Sequence, residues 1–149
     1  MWNKGSELKL IHKVIIVLFL HLGQMIHRSP YYHLQDFTSL GGIQFTSFAK
    51  ATKFNKDLYS ELVAPTLKTN LLAETWQNGG GNIGPSCDGA FTVEDISDVK
   101  MEFSDGSSYS FYDTNDHSKY ALSTTEDVPY VCIGDINRQV RVIFQKIDQ

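Results

Sequence analysis

The sequence contains few cysteines. Of its 149 residues only Cys87 and Cys132 are cysteines, and their spacing fits neither a CxxC motif nor a zinc-ligand pattern. A zinc site built from cysteine pairs is therefore excluded. The two thiols remain compatible with a single disulfide, with two buried free cysteines, or with bridges to partners that the sequence does not contain.

Positive charge is also scarce. Thirteen Lys and Arg against 17 Asp and Glu give a formal charge of −4 and a pI near 5.6. Phosphate binding needs clustered cations, so this balance argues against tight binding of a polyanion at neutral pH. Protonation of the five histidines would move the charge from −4 to +1, so the same surface would stop repelling phosphates near pH 5.

No hydrophobic run is long enough to cross a membrane. The longest apolar stretch of the N-terminal region covers residues 14–20, whereas a transmembrane helix needs about 20 apolar residues. Lys4, Lys9 and Lys13 precede this stretch, which is typical of a signal peptide, although no A-x-A cleavage site follows. The alternatives are a buried strand, a short helix, or a segment foreign to the native gene product.

The remaining composition is that of one ordinary domain. The mass is 16.8 kDa, with 42% hydrophobic and 20% charged residues, and no internal repeat is visible. Residues 43–48 alternate in polarity after the Gly41-Gly42 turn, which predicts a strand. Residues 55–70 have a helical period, with Asn55 or Asp57 as the first cap, Asn70 as the end and Pro65 weakening or splitting the helix.

The second half of the chain is rich in predicted strands. We expect strands at residues 71–76, 117–123 and 128–137, and a hairpin of residues 99–103 and 107–112 around the Asp105-Gly106 turn. Residues 77–86 are predicted to form a loop. The predicted fold class is α/β, in the sense of an α+β-like mixed sheet with more strands than helices.

Two short motifs carry chemistry. His117 and Lys119 stand two apart, so on a strand they would project from the same face. An imidazole can attack phosphorus or move a proton, and an ammonium can balance charge on phosphate oxygens, without a metal or other cofactor. Asn137 ends "GDIN", where its amide could donate to a phosphate oxygen. Each motif also has an explanation without chemistry. The first is compatible with an exposed His and Lys on an edge strand, and "GDIN" with an ordinary turn, for which Gly, Asp and Asn are the usual residues.

In combination, "HSK" followed by G-x-x-N resembles the active-site repeat of the phospholipase D superfamily. The blocks "FTSFAKATKFNKDLYSELVAPTL", "TNLLAETW" and "DHSKYALS…YVCIGDINRQ" resemble the C-terminal half of deoxyribonuclease II. The resemblance runs from about Gly41 to Gln139. It divides the chain into residues 1–36, a signal-like or non-family segment, and residues 37–149, one phospholipase D-like half-domain that is truncated at its C-terminus.

The resemblance implies a lysosomal or secreted acid endonuclease that needs no divalent metal and hydrolyses DNA to products with 3′-phosphates. It implies that His117 is the catalytic histidine of the second half, that Lys119 contacts phosphate, and that Asn137 supplies the amide of G-x-x-N. Mild acid suits such a site because one imidazole must be neutral while another is protonated.

The family places one HxK in each of two halves, and here the other four histidines are not part of an HxK. Two copies of the chain could rebuild the site as a homodimer with one His117 from each copy. The alternative is a catalytically inactive truncated paralogue that acts at most as a DNA- or phosphate-binding module. A lipid phosphodiesterase is disfavoured, because residues 123–125 lack the aspartate that follows HxK in that group.

Overall fold

The structure is a computed structural model that describes residues 13–16, 28–125 and 129–139. Its strands are β1 (Lys13–Ile16), β2 (Tyr32–Thr38), β3 (Gln44–Lys50), β4 (Leu71–Thr75), β5 (Val93–Asp95), β6 (Asp98–Glu102), β7 (Ser108–Tyr112), β8 (Lys119–Ser123) and β9 (Tyr130–Ile133). Short 3₁₀ turns cover Thr52–Phe54 and Asp113–Asn115. A π-helical turn, Tyr59–Val63, continues into α1, Ala64–Leu67.

Seven strands form one open mixed sheet in the order β2-β3-β1-β9-β8-β4-β5, which confirms the predicted fold class. Strands β3, β1 and β9 are parallel neighbours, and β8 lies antiparallel between β9 and β4. The carboxyl ends of β4 and β9 therefore meet the amino end of β8 at one edge of the sheet. Strand β1 lies inside the sheet between β3 and β9, so of the alternatives for the N-terminal region residues 13–16 form a strand.

The predicted helix is present but divided. The Asp57 carboxylate accepts hydrogen bonds from the backbone N–H of Ser60 at 3.0 Å and from its hydroxyl at 2.9 Å, so Asp57 is the cap. The π-helical turn changes to α-helix at Ala64, next to Pro65, whose nitrogen cannot donate to the preceding turn. The helix ends at Lys68, at a φ of 56°, two residues before the expected Asn70.

The core lies between this helical segment and one face of the sheet. Its members are buried apolar side chains: Phe48, Leu58, Tyr59, Leu62, Val63, Ala64, Leu71, Ala73, Val93, Ala121 and Cys132. Alternate residues of β4, Leu71, Ala73 and Thr75, are almost completely buried and share the face that meets the helix. The carboxyl end of β4 is thus held rigidly by the core.

Both cysteines are free thiols, Cys87 exposed and Cys132 buried. The two are therefore not joined by a disulfide. The alternative of a buried free cysteine fits Cys132 but not the exposed Cys87. Burial raises the pKa of the Cys132 thiol to about 12, which leaves it protonated and unreactive in the folded protein.

Other predicted strands are confirmed with changed boundaries. The strand expected over 128–137 covers only Tyr130–Ile133, so the G-x-x-N residues follow it as a loop. The hairpin forms as β6 and β7 in a two-stranded sheet of its own, and the strand at 71–76 is β4. The strand expected over 117–123 begins only at Lys119. His117 and Ser118 do not join the strand because they belong to a local turn. The Asp116 carboxylate closes this turn by accepting hydrogen bonds from the backbone N–H of Ser118 at 2.8 Å and from its hydroxyl at 2.7 Å.

Within the described part of the chain, no helix has the length and apolar character needed to cross a bilayer.

Candidate active site

The three residues singled out from the sequence belong to one edge of the sheet. Lys119 opens β8 and lies opposite Thr75 at the end of β4. The N–H of Gly134, just after β9, donates to the carbonyl of Lys119 at 2.7 Å. The N–H of Arg138, next to Asn137, donates to the Thr75 hydroxyl at 3.3 Å. Backbone contacts therefore bring HxK and G-x-x-N to the same end of the same three strands.

His117 lies in the turn before β8 and is exposed. Its imidazole stacks on the indole of Trp76, with ring centroids 4.4 Å apart and ring planes 27° apart. The indole N–H donates to the carbonyl of Thr114 at 3.3 Å. Trp76, the first residue beyond β4, therefore supports both the imidazole and the loop that leads to it, while the imidazole remains open to a substrate.

The expectation that Lys119 and His117 share a face assumed that both lie on one strand. His117 lies before β8, which begins at Lys119, so strand alternation does not relate their two side chains. The Lys119 ammonium donates to the backbone carbonyl of His117. The ammonium therefore lies next to the backbone of His117.

Asp116 does not serve the imidazole. Both of its carboxylate oxygens accept hydrogen bonds from Ser118, which fixes the turn that presents His117.

The G-x-x-N loop is anchored by the next residue, Arg138. Its guanidinium is fully buried and donates to Asp57 at 3.2 Å and to Asp95, and also to the carbonyl of Gly84 and the hydroxyl of Ser86. The tyrosine hydroxyl of Tyr59 donates to the carbonyl of Ile136 at 3.2 Å. These contacts attach the loop to the helical segment and to β5, which fixes the backbone at Asn137.

Two side chains at this edge carry buried polar atoms without hydrogen-bond partners. Among the described residues, the buried side-chain polar atoms without a partner are both carboxyl oxygens of Glu74 and the amide oxygen of Asn137. Buried polar atoms are normally paired, so an unpaired one calls for an explanation. Both residues belong to the end of the sheet at which HxK and the G-x-x-N loop meet.

Glu74 was missed by the sequence analysis. Its side chain is completely buried on β4, and burial raises its pKa to about 7, with further contributions from the carboxylates of Asp116, Asp113 and Asp95. Lys119 opposes the rise. The sequence did contain a signal, because a carboxylate inside the otherwise apolar strand "LLAETW" cannot be solvated if the strand is central.

Comparison with known proteins agrees with this geometry. The family model for Deoxyribonuclease II matches residues 6–145, a wider range than the residues 41–139 that carried the resemblance. The chain is 42% identical over 116 residues to Deoxyribonuclease-2 of Caenorhabditis elegans, an alignment that covers 78% of this chain. It is 36% identical over 145 residues, or 97% of the chain, to Plancitoxin-1 of Acanthaster planci.

A mammalian relative gives a similar result. Deoxyribonuclease-2-alpha of Mus musculus is 38% identical over 115 residues, which cover 77% of this chain. The alignments cover 30%, 39% and 31% of the lengths of the worm, starfish and mouse proteins, so the chain spans about a third of each relative. The family model nevertheless matches nearly the whole chain and includes every residue of the candidate site. The chain belongs to the deoxyribonuclease II family.

Proposed function

We propose that the chain carries one half of the active site of an acid endodeoxyribonuclease that hydrolyses DNA phosphodiesters without a metal ion. The observation that supports this most directly is the meeting of His117, Lys119 and the G-x-x-N loop at one sheet edge in a member of the deoxyribonuclease II family. DNA is the proposed substrate, because the relatives are named as deoxyribonucleases.

The proposed chemistry begins with attack by a neutral His117 imidazole nitrogen on phosphorus. An N–P bond forms, the P–O5′ bond breaks, and the departing 5′ oxygen takes a proton from a second acid. Water then hydrolyses the phosphohistidine and leaves a 3′-phosphate. The Lys119 ammonium and the Asn137 amide are placed to bind the non-bridging oxygens on which charge accumulates.

The second acid is proposed to be the His117 of another copy of the chain, in a symmetric homodimer. His33, the other histidine whose surroundings the structure describes, lies exposed on β2 at the far end of the sheet from β8. Strands β3, β1 and β9 therefore lie between His33 and the strand that follows His117. An acidic compartment, lysosomal or secretory, suits the mixed protonation state that two histidines need.

A plasmid-nicking assay at pH 5 in the presence of EDTA tests the proposal. We expect the wild-type chain to nick supercoiled DNA, His117→Ala to reduce nicking by at least about 100-fold, as for other groups that act directly on the reacting atom, and His33→Ala to leave it unchanged. His33→Ala is a matched control because it removes an exposed imidazole outside the site. A folded wild-type protein that leaves the plasmid intact would refute the proposal.

A second candidate function is binding of DNA or another phosphate polymer without cleavage. The observation that favours it is the single HxK of the chain, which supplies a cation and an amide but not a second imidazole. This function predicts retention on DNA at pH 5 that weakens steeply with added salt and weakens further in Lys119→Ala. Retention without nicking would favour this function over the nuclease.

A further inference from the structure

Glu74 presents a buried carboxyl group that the proposed chemistry does not use. It lies on β4, pairs in register with Tyr120 of β8, and has no solvent exposure. Neither of its oxygens accepts or donates a hydrogen bond. An ionised carboxylate in such a place would lose its hydration without compensation, whereas a neutral carboxyl would lose far less.

The groups that face Glu74 make ionisation still less favourable. Asp113 and Asp116 face it from the loop that carries His117, Asp95 from β5, and Tyr120 and Lys119 from β8. Three of these five groups are carboxylates, and Lys119 is the one cation among them. Lys119 is also engaged by the carbonyl of His117, so it does not form an ion pair with Glu74.

Hydrogen bonds within the loop hold the carboxylates of Asp113 and Asp116 in place. Asp113 accepts from the N–H of Thr114 at 2.6 Å, and Asp116 accepts from Ser118. These hydrogen bonds shape residues 113–118, hereafter the histidine loop. The loop rests on β4 through two contacts of Trp76, the stack with His117 and the hydrogen bond to Thr114. Repulsion from Glu74 would therefore act on the loop as a whole.

We propose that Glu74 is a positioning residue for the histidine loop: when neutral it lets the loop rest on β4, and when ionised it repels Asp113 and Asp116 and releases His117 from Trp76. The effect on the loop depends only on this chain. Its consequence for DNA cleavage rests on the proposed function.

The direction of the effect follows from the surroundings of Glu74. Burial, the largest cause, and the neighbouring carboxylates raise its pKa to about 7. The loop is therefore docked in acid and is released as the pH rises through 7. At pH 8 about nine-tenths of such a group would be ionised, which lowers the population of the docked loop relative to pH 5 by up to about tenfold.

The indole N–H of Trp76 reports directly on docking because it donates to Thr114 of the loop. The chain contains two tryptophans, Trp2 and Trp76, so Trp2→Phe leaves a single indole signal in a ¹H–¹⁵N spectrum. Hydrogen exchange of that indole, corrected for intrinsic rates, is measured between pH 5 and pH 8. We expect protection to fall by about tenfold across this range in the Trp2→Phe protein.

Glu74→Gln in the same background keeps the shape of the side chain and removes its charge. We expect its indole protection at pH 8 to stay within about twofold of that at pH 5. The two proteins differ only at position 74, so the difference between their exchange profiles isolates Glu74. Glu94→Gln is the matched control, because it removes the charge of an exposed glutamate on the neighbouring strand β5. It should behave as the Trp2→Phe parent does.

Two results would overturn the proposal: equal protection at pH 5 and pH 8 in the parent, or the same loss of protection in Glu74→Gln. If Glu74→Gln does not fold, Asp116→Asn provides the second test, because it removes a repelling charge and keeps an acceptor for Ser118. The loss of indole protection between pH 5 and pH 8 should then be smaller than in the parent, because ionised Glu74 repels the loop less, and an unchanged loss would count against the proposal. Absence of DNA cleavage alongside the expected exchange difference would refute the proposed function and leave this inference intact.

Discussion

At the scale of single residues, Arg138 determines the position of the G-x-x-N loop. Its guanidinium is fully buried and contacts Asp57 and Asp95, so its removal would leave two carboxylates without their cation. We expect Arg138→Met to lower the free energy of unfolding by about 3–5 kcal/mol at pH 7, the usual cost of breaking a buried ion pair.

Urea unfolding followed by circular dichroism would measure this loss. Lys100→Met is the matched control, because Lys100 pairs with Glu102 on the exposed surface of β6, and such pairs contribute at most about 1 kcal/mol. Equal stability of the two variants would show that Arg138 and its carboxylates do not act as a buried unit.

The burial of Glu74 also predicts how the free energy of unfolding depends on pH. The folded state raises the pKa of this carboxyl from 4.5 to about 7, so between these values the folded chain binds a proton that the unfolded chain has lost. The free energy of unfolding should then fall as the pH rises from 4.5 to 7, by at most about 3 kcal/mol for this group.

Glu74→Gln should abolish that contribution, so the wild type should lose stability relative to this variant across the same pH range. Denaturant midpoints of the two proteins at half-unit pH intervals measure the difference. Parallel curves would mean that Glu74 titrates alike in the folded and unfolded chains.

At the scale of elements, the β6–β7 hairpin is independent of the main sheet. Gly106 has a φ of 85° in its turn, a conformation that costs an L-residue about 1 kcal/mol or more. We expect Gly106→Ala to accelerate amide exchange throughout β6 and β7 by about fivefold, which corresponds to a local loss of about 1 kcal/mol.

The amides of β4 and β9 should be unaffected by Gly106→Ala, because the hairpin is paired only within itself. Gly80→Ala is the control, since its loop position is open and has no left-handed φ. Faster exchange in the main sheet would show that the hairpin stabilises the whole domain.

The elements also show what sequence could and could not predict. Strands β3 and β4 and the β6–β7 hairpin follow from polarity alternation and turn residues that are close in sequence. The insertion of β1 between β3 and β9 depends on contacts between distant segments, which alternation does not encode. The start of β8 was misplaced because the Asp116 side chain competes for the backbone N–H of Ser118.

The site was predicted unevenly for the same reason. His117, Lys119 and Asn137 stand in short motifs, and the structure brings their segments to one sheet edge. Arg138 and Asp57 are separated by 81 positions, and the burial of Glu74 appears only when β8 and β5 flank β4. The contact between Arg138 and Asp57 had no local signature in the sequence, whereas the signal for Glu74 was its acidic side chain within "LLAETW".

At the scale of the whole molecule, one HxK in each chain predicts that activity depends on association. If each dimer unites two copies of His117, nicking per chain at pH 5 should rise with protein concentration until the dimer is fully formed, as sedimentation at the same concentrations would show. A rate per chain that stays constant while the mass is that of a monomer would mean that one chain holds a complete site.

Mixing wild type with His117→Ala gives a stricter test of the same arrangement. After equimolar chains are allowed to exchange partners, about half of the wild-type chains pair with a variant that lacks the second imidazole, so nicking per wild-type chain should fall to about half. His33→Ala is active by itself, so an equimolar mixture with it should leave nicking per total chain unchanged, whereas the His117→Ala mixture should fall to about a quarter on the same basis. His33 serves as this control because it lies on β2, at the opposite end of the sheet from β5. A mixture with His117→Ala that keeps its full rate per wild-type chain would place both the nucleophile and the acid within a single copy.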